Sequence, residues 1–183
     1  MLPWGSRSEE AMKSTKQLAQ CAILISLALV LSYMERFFPL QMFITLPGVK
    51  LGLANIITLV AMVLLGRKEA GAVLFVRIFL GSLFAGSPST LIYSAAGGLT
   101  AYLVMCLLIS TMKDERLWLL SALSAIGHNA GQLGACAVIL KTPSIFVYAP
   151  VLAISGVITG VFTGLAAMYL IKALRKMRFD YFR

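Results

Sequence analysis

The run Phe146–Ala173 reads FVYAPVLAISGVITGVFTGLAAMYLIKA, and its only charge, Lys172, stands near the far end. A bilayer core requires roughly 20 apolar residues per helical span, so this stretch has the length and composition of a membrane helix. Within it Gly156, Gly160 and Gly164 recur every four residues, accompanied by Ser155, Thr159 and Thr163. Residues four apart share a helix face, and a face of glycines and small hydroxyls lets another backbone lie against it. The sequence predicts a helix here that packs tightly on a neighbour.

Working outward, similar apolar segments run over Leu18–Met34, Leu51–Leu65, Ala70–Ala85, Leu91–Met112 and Leu117–Leu140. The 183 residues are 60% hydrophobic and 13% charged, with a mean hydropathy of +0.90, which is too apolar for a soluble domain of this size. The expected fold is all-α and membrane-integral: one bundle of about six transmembrane helices over 18–174, between an amino-terminal tail at 1–17 and a basic tail at 175–183. The second and third segments are short for full spans, which leaves shielding by longer helices and a re-entrant path both open. Glu35–Lys50, with Pro39 and the break Pro47-Gly48, is expected to cap the bundle.

The formal net charge is +9, yet the basic residues sit in short connections and tails and form no nucleic-acid-binding domain. One side collects Arg7, Lys13, Lys16, Arg67, Lys68, Lys113, Arg116, Lys172, Arg175, Lys176, Arg178 and Arg183; the other has Arg36, Lys50 and Lys141. Basic flanks are retained in the cytoplasm, so both chain ends are expected inside, in a bacterial cytoplasmic membrane. Met1–Lys16 is too polar for the front of a signal peptide. Cys21, Cys106 and Cys136 all lie in apolar runs without metal-ligand spacing, and read as small buried side chains.

Polar residues inside the apolar runs carry the functional signal. Arg77 stands mid-segment, where an arginine costs about 2.5–3.5 kcal/mol even on the lenient insertion scale. The seven acids, Glu9, Glu10, Glu35, Glu69, Asp114, Glu115 and Asp180, lie in tails or loops, so Arg77 calls either for an anionic ligand or for Glu35 or backbone carbonyls folded inward. His128 and Gln132 are one helical turn apart, with Asn129 one step around. These three read as interhelical hydrogen bonding or as part of a pocket shared with Arg77, Asn55 and Lys50. Tyr93, in Tyr-Ser-Ala-Ala-Gly-Gly, either lines that pocket or marks an interface above a close helix crossing.

Several chemistries lack their residues. No GxxxxGK[ST] loop is present for nucleotide hydrolysis, no helix carries the clustered carboxylates of metal–diphosphate chemistry, and no third member supports a Ser-His-Asp triad. A proton relay would rest on His128 alone. The chain is expected to be no enzyme, to bind no metal or cofactor, and to leave any ATP to partner subunits.

The stretches Pro47-Gly-Val-Lys-Leu-Gly-Leu-Ala-Asn55, Leu65-Gly-Arg-Lys-Glu-Ala70, Arg77-Ile78, Tyr93–Gly98, Gly127-His-Asn-Ala-Gly-Gln132 and Ser155–Gly160 resemble the Gx transporter family, also labelled heptaprenyl diphosphate synthase component I. The resemblance covers nearly the whole chain after the amino-terminal tail. That family is similar to the substrate-binding S components of energy-coupling factor (ECF) transporters. The resemblance implies a six-helix bundle that works with a membrane coupling subunit and two ATPases. It also implies a small-residue strip on the first helix for the coupling subunit, best met by Ala22 and Ser26, with Ala28 and Ser32 as competing choices; Ser26 stands where alanine is more usual. The older label implies a prenyl synthase subunit, but this sequence has none of the aspartate-rich motifs by which such synthases hold metal-diphosphate.

Two readings follow. In the first, a small polar or anionic molecule such as a vitamin, flavin or precursor is captured by Lys50, Asn55, Arg77, Tyr93, His128, Asn129 and Gln132 for ATP-driven uptake. In the second, the chain is a membrane accessory subunit of prenyl diphosphate or quinone metabolism or of extracellular electron transfer, with a purely structural polar patch.

Overall fold

The computed structural model describes residues 4–35, 53–86 and 88–180, with the backbone course alone at 4–14 and 177–180. Among the described residues there are six α-helices and no strand: α1 Trp4–Met34, α2 Asn55–Leu64, α3 Arg67–Ala85, α4 Pro88–Leu108, α5 Leu117–Leu140 and α6 Ala149–Asp180. Short 3-10 turns, Asp114–Arg116 and Pro143–Tyr148, lead into α5 and α6. Each helix overlies one apolar segment of the sequence. α1 begins at Trp4 and α6 continues to Asp180, so the 17/18 and 174/175 boundaries fall within continuous helices.

Four stretches, Thr15–Met34, Pro88–Leu108, Asp114–Leu140 and Pro143–Lys176, are long and apolar enough to cross a membrane. Between 11 and 33% of the residues in their most apolar windows are buried inside the protein. Phe75, Phe84, Leu107, Val138, Phe162 and Tyr169 point outward instead. So much large apolar surface suits lipid and not water, and an all-helical membrane protein accounts for it.

The two short segments are the interesting ones. α2 has ten residues, about 15 Å of helix, or half of a hydrocarbon core of roughly 30 Å. Seven of those residues are buried, because α2 packs against α1, α3, α4 and α6 at once. It ends at Leu65-Gly66, where Gly66 has φ +119°, a conformation that costs other residues steric strain. The chain thereby reverses directly into α3, whose nineteen residues carry Arg67, Lys68 and Glu69 in the first turn and Arg77 at the centre.

The closest packing joins α4, α5 and α6. A methyl added at Gly160 would lie 2.5 Å from Ala122 Cα, and one at Gly164 would lie 2.5 Å from Trp118 Cα. The glycine strip of α6 is therefore filled by α5, as its spacing predicts. Its opposite face carries Ile154, Ile158, Phe162, Leu165 and Tyr169, all exposed. Between α4 and α5 the hydroxyl of Thr100 lies 2.8, 2.9 and 2.8 Å from the carbonyls of Ala96, Gly97 and Gly127; its one proton serves one of them at a time. Ser121 and Thr163 share a buried hydrogen bond of 3.0 Å across the α5–α6 seam.

Basic residues gather at one end of this bundle. Lys16, Leu65 and Arg175 border one groove, Asp114, Lys172 and Arg175 border another, and Arg175 forms an ion pair with Asp114. The middle of α1, the ends of α2 and α6 and the start of α5 thus meet there.

Candidate functional site

Arg77 lies ten residues into α3 and Asn55 opens α2, so both stand about 15 Å from the basic end by helix rise. Folding the two helices back on each other at Gly66 brings these side chains together. Arg77 Nη2 donates to Asn55 Oδ1 at 3.2 Å in a buried hydrogen bond. Arg77 is 7% exposed, so snorkelling to the surface is not its solution.

Of the solutions the sequence leaves open, an inward Glu35 is realised in part. Glu35 follows α1, is 7% exposed, and acts on Arg77 as an attractive charge. The guanidinium is nonetheless incompletely satisfied: among the described residues Arg77 Nε has no hydrogen-bond partner. Thr58, one turn beyond Asn55 on the same face of α2, likewise has a buried Oγ1 without a partner there. α2 also starts without a side-chain cap at Ala54, so first-turn N–H groups with their partial positive charge begin near the depth of Arg77. Thr58 escaped the sequence reading, although the Asn55-x-x-Thr58 spacing was available as a signal.

The α5 residues divide between two neighbours. His128 and Gln132 face α4: a methyl at Gly97 would lie 2.7 Å from Gln132 Cγ and 2.8 Å from His128 Cε1. Gly97 is thus the floor on which both side chains rest. Asn129, one step around, faces α6, where its Nδ2 donates to the Leu152 carbonyl at 2.8 Å and approaches Gly156. Its amide N–H is committed to holding α6. Tyr93 is buried with Leu133, Cys136, Ile145 and Leu152 and reaches the Cys136 thiol, which places it in an apolar cluster.

The structure therefore joins Asn55 to Arg77 and seats His128 beside Gln132, while Asn129 and Tyr93 serve helix packing. The hydrogen bonds that hold Arg77 and Asn129 do not bridge the two groups. Lys50 and the rest of the expected cap lie outside the described residues. On α1, Ala22 and Ser26 are both exposed, and the Ser26 hydroxyl donates back to the Ala22 carbonyl at 2.9 Å. Ala28 is fully buried, so that competing position faces the core.

Comparison with known families decides the relationship. The profile described as Heptaprenyl diphosphate synthase component I matches residues 24–170. The chain belongs to this family. The match to heptaprenyl diphosphate synthase component I runs from α1 well into α6, so it takes in Asn55, Arg77, His128 and Gln132. No curated protein and no solved structure matches. Among the described residues of this family member no group of three or more His, Cys, Asp or Glu could hold a metal ion.

Proposed function

We propose that the chain is the substrate-binding membrane subunit, or S component, of an ECF-type ATP-driven importer for a small polar or anionic molecule. The observation that carries this reading is the buried guanidinium of Arg77, whose Nε donor is unused among the described residues, beside Asn55 and the start of α2, which has no side-chain cap. A buried donor without a partner costs about 1–3 kcal/mol, more for charged groups, and a ligand oxygen would recover that energy. Half-length helices whose amino ends point into the bundle form anion sites by the same physics. His128 and Gln132 supply a second polar surface for the cargo.

The same reading places the protein in a bacterial cytoplasmic membrane with both ends inside, the basic end of the bundle facing the cytoplasm. The exposed Ala22–Ser26 face of α1 meets the coupling subunit, and the two ATPases supply the energy. The first test is mass spectrometry of small molecules released from protein purified in mild detergent, wild type against Arg77→Ala. A polar molecule present in the first and missing from the second is expected. An empty site in both, with no copurifying ATPases, would defeat the proposal.

The family's name favours a second reading, a membrane accessory of prenyl diphosphate synthesis. Stable copurification with a prenyl synthase in place of ATPases would select it.

A further inference from the structure

α1 and α6 flank the end of α2 without a close-packed seam between them. What lies between is a groove of about 440 Å3 at the basic end of the bundle. Leu24, Val63, Leu64 and Leu174 make its apolar walls, and Lys16, Gln20 and Arg175 also line it. It opens toward the outer surface of α1, where Ile23, one of its lining residues, is 62% exposed.

The distribution of groups fits one kind of occupant. An extended peptide segment in a membrane needs partners for every N–H and C=O, and these leucine and valine walls offer none. A hydrocarbon chain needs none. Lys16 and Arg175 give the lining a positive character, and no acid lines this groove among the described residues, so an anionic head group is complementary to it. Arg175 does give Nη1 to Asp114, yet a guanidinium has five N–H donors, so the ion pair orients it without exhausting it. Basic pockets between helices at a membrane surface bind phosphate head groups in this way.

We infer that the α1–α2–α6 groove holds a phosphate-headed membrane lipid, its head on Lys16 and Arg175 and one acyl chain along Leu24, Val63 and Leu64. The lipid completes the bundle where the first and last helices leave it open. Its lateral opening admits a molecule already resident in the leaflet.

The test is native mass spectrometry of the full chain in detergent, titrated with phosphatidylglycerol or with phosphatidylcholine of the same acyl chains. Wild type is expected to retain phosphatidylglycerol about tenfold more tightly, and Lys16→Gln combined with Arg175→Gln to lose most of that preference, as two basic side chains near the head group imply. Because the second substitution also removes the Asp114 ion pair, Ile23→Trp provides an independent variant: it blocks the groove from an exposed position and should lower retention of both lipids. Equal retention of the two lipids by wild type would overturn the assignment. So would unchanged retention in Ile23→Trp, or displacement of phosphatidylglycerol by equimolar farnesyl diphosphate, which would give the groove to an isoprenoid diphosphate.

Discussion

The two halves of the bundle are built on different terms. In α4–α5–α6, glycines bring backbones into contact, and hydroxyls and the Asn129 amide connect the helices: Thr100 to Gly127, Ser121 to Thr163, Asn129 to Leu152. In α1–α2–α3 the packing rests on larger side chains such as Leu24, Ile57, Leu59, Val60 and Val73, with the Arg77–Asn55 pair as a buried polar contact between α2 and α3. The first half offers little room for a substitution. The second holds a buried charged group, a half-length helix, and a groove along its edge.

The comparison breaks most easily at Gly160. Gly160→Leu should destabilise the bundle by about 3 kcal/mol or prevent its assembly, seen as early unfolding in detergent. Gly134→Leu, where an added methyl meets nothing within 4 Å, should be close to neutral. Equal loss at both positions would mean that the α5–α6 seam is not specially tight.

Next in size is Asn129→Ala, which removes the amide's hydrogen bond to Leu152, a carbonyl that the Ser155 hydroxyl still meets at 3.0 Å, and should cost about 0.5–1.5 kcal/mol in thermal unfolding. It should leave cargo binding intact if the seam alone suffers. Arg77→Ala should show the reverse pattern, abolishing cargo in the mass-spectrometric assay while shifting unfolding by less than about 1 kcal/mol. A drop of about 3–5 kcal/mol, the cost of leaving a buried partner charge uncompensated, would instead make Glu35 and Arg77 a structural pair. Smallest in stability is Ser26→Leu on the exposed face of α1, expected within about 0.5 kcal/mol of wild type. Its effect should appear as lost copurification of the coupling subunit and ATPases.

Much of this architecture was legible in the chain, for identifiable reasons. The helices follow from apolar length, and the α6 seam from the spacing of Gly156, Gly160 and Gly164, because in lipid only small and polar residues reveal which face is turned inward. The shortness of α2 was visible as a shortened apolar run, but its central position depends on four neighbours that no local pattern encodes. Arg77 was conspicuous by its cost. Its partner Asn55 is 22 residues away and becomes adjacent only through the reversal at Gly66. His128, Asn129 and Gln132 looked like one patch because they are close in sequence, yet the step of about 100° from His128 to Asn129 sends one toward α4 and the other toward α6. The sequence also left Glu35 undecided, since a residue following a helix can turn either way.

The reversal at Gly66 has a mechanical consequence. With no slack between α2 and α3, the two helices behave as a pair of tongs pivoted at that glycine and clasped about 15 Å away by Arg77 and Asn55. Over such an arm a swing of only about 4° parts the tips by about 1 Å, enough to release the clasp. In the function proposed above, a cargo oxygen that took the guanidinium from Asn55 would therefore load the contact of Leu74 and Ile78 with Gly98 and pass the strain on to the glycine-lined scaffold beside them.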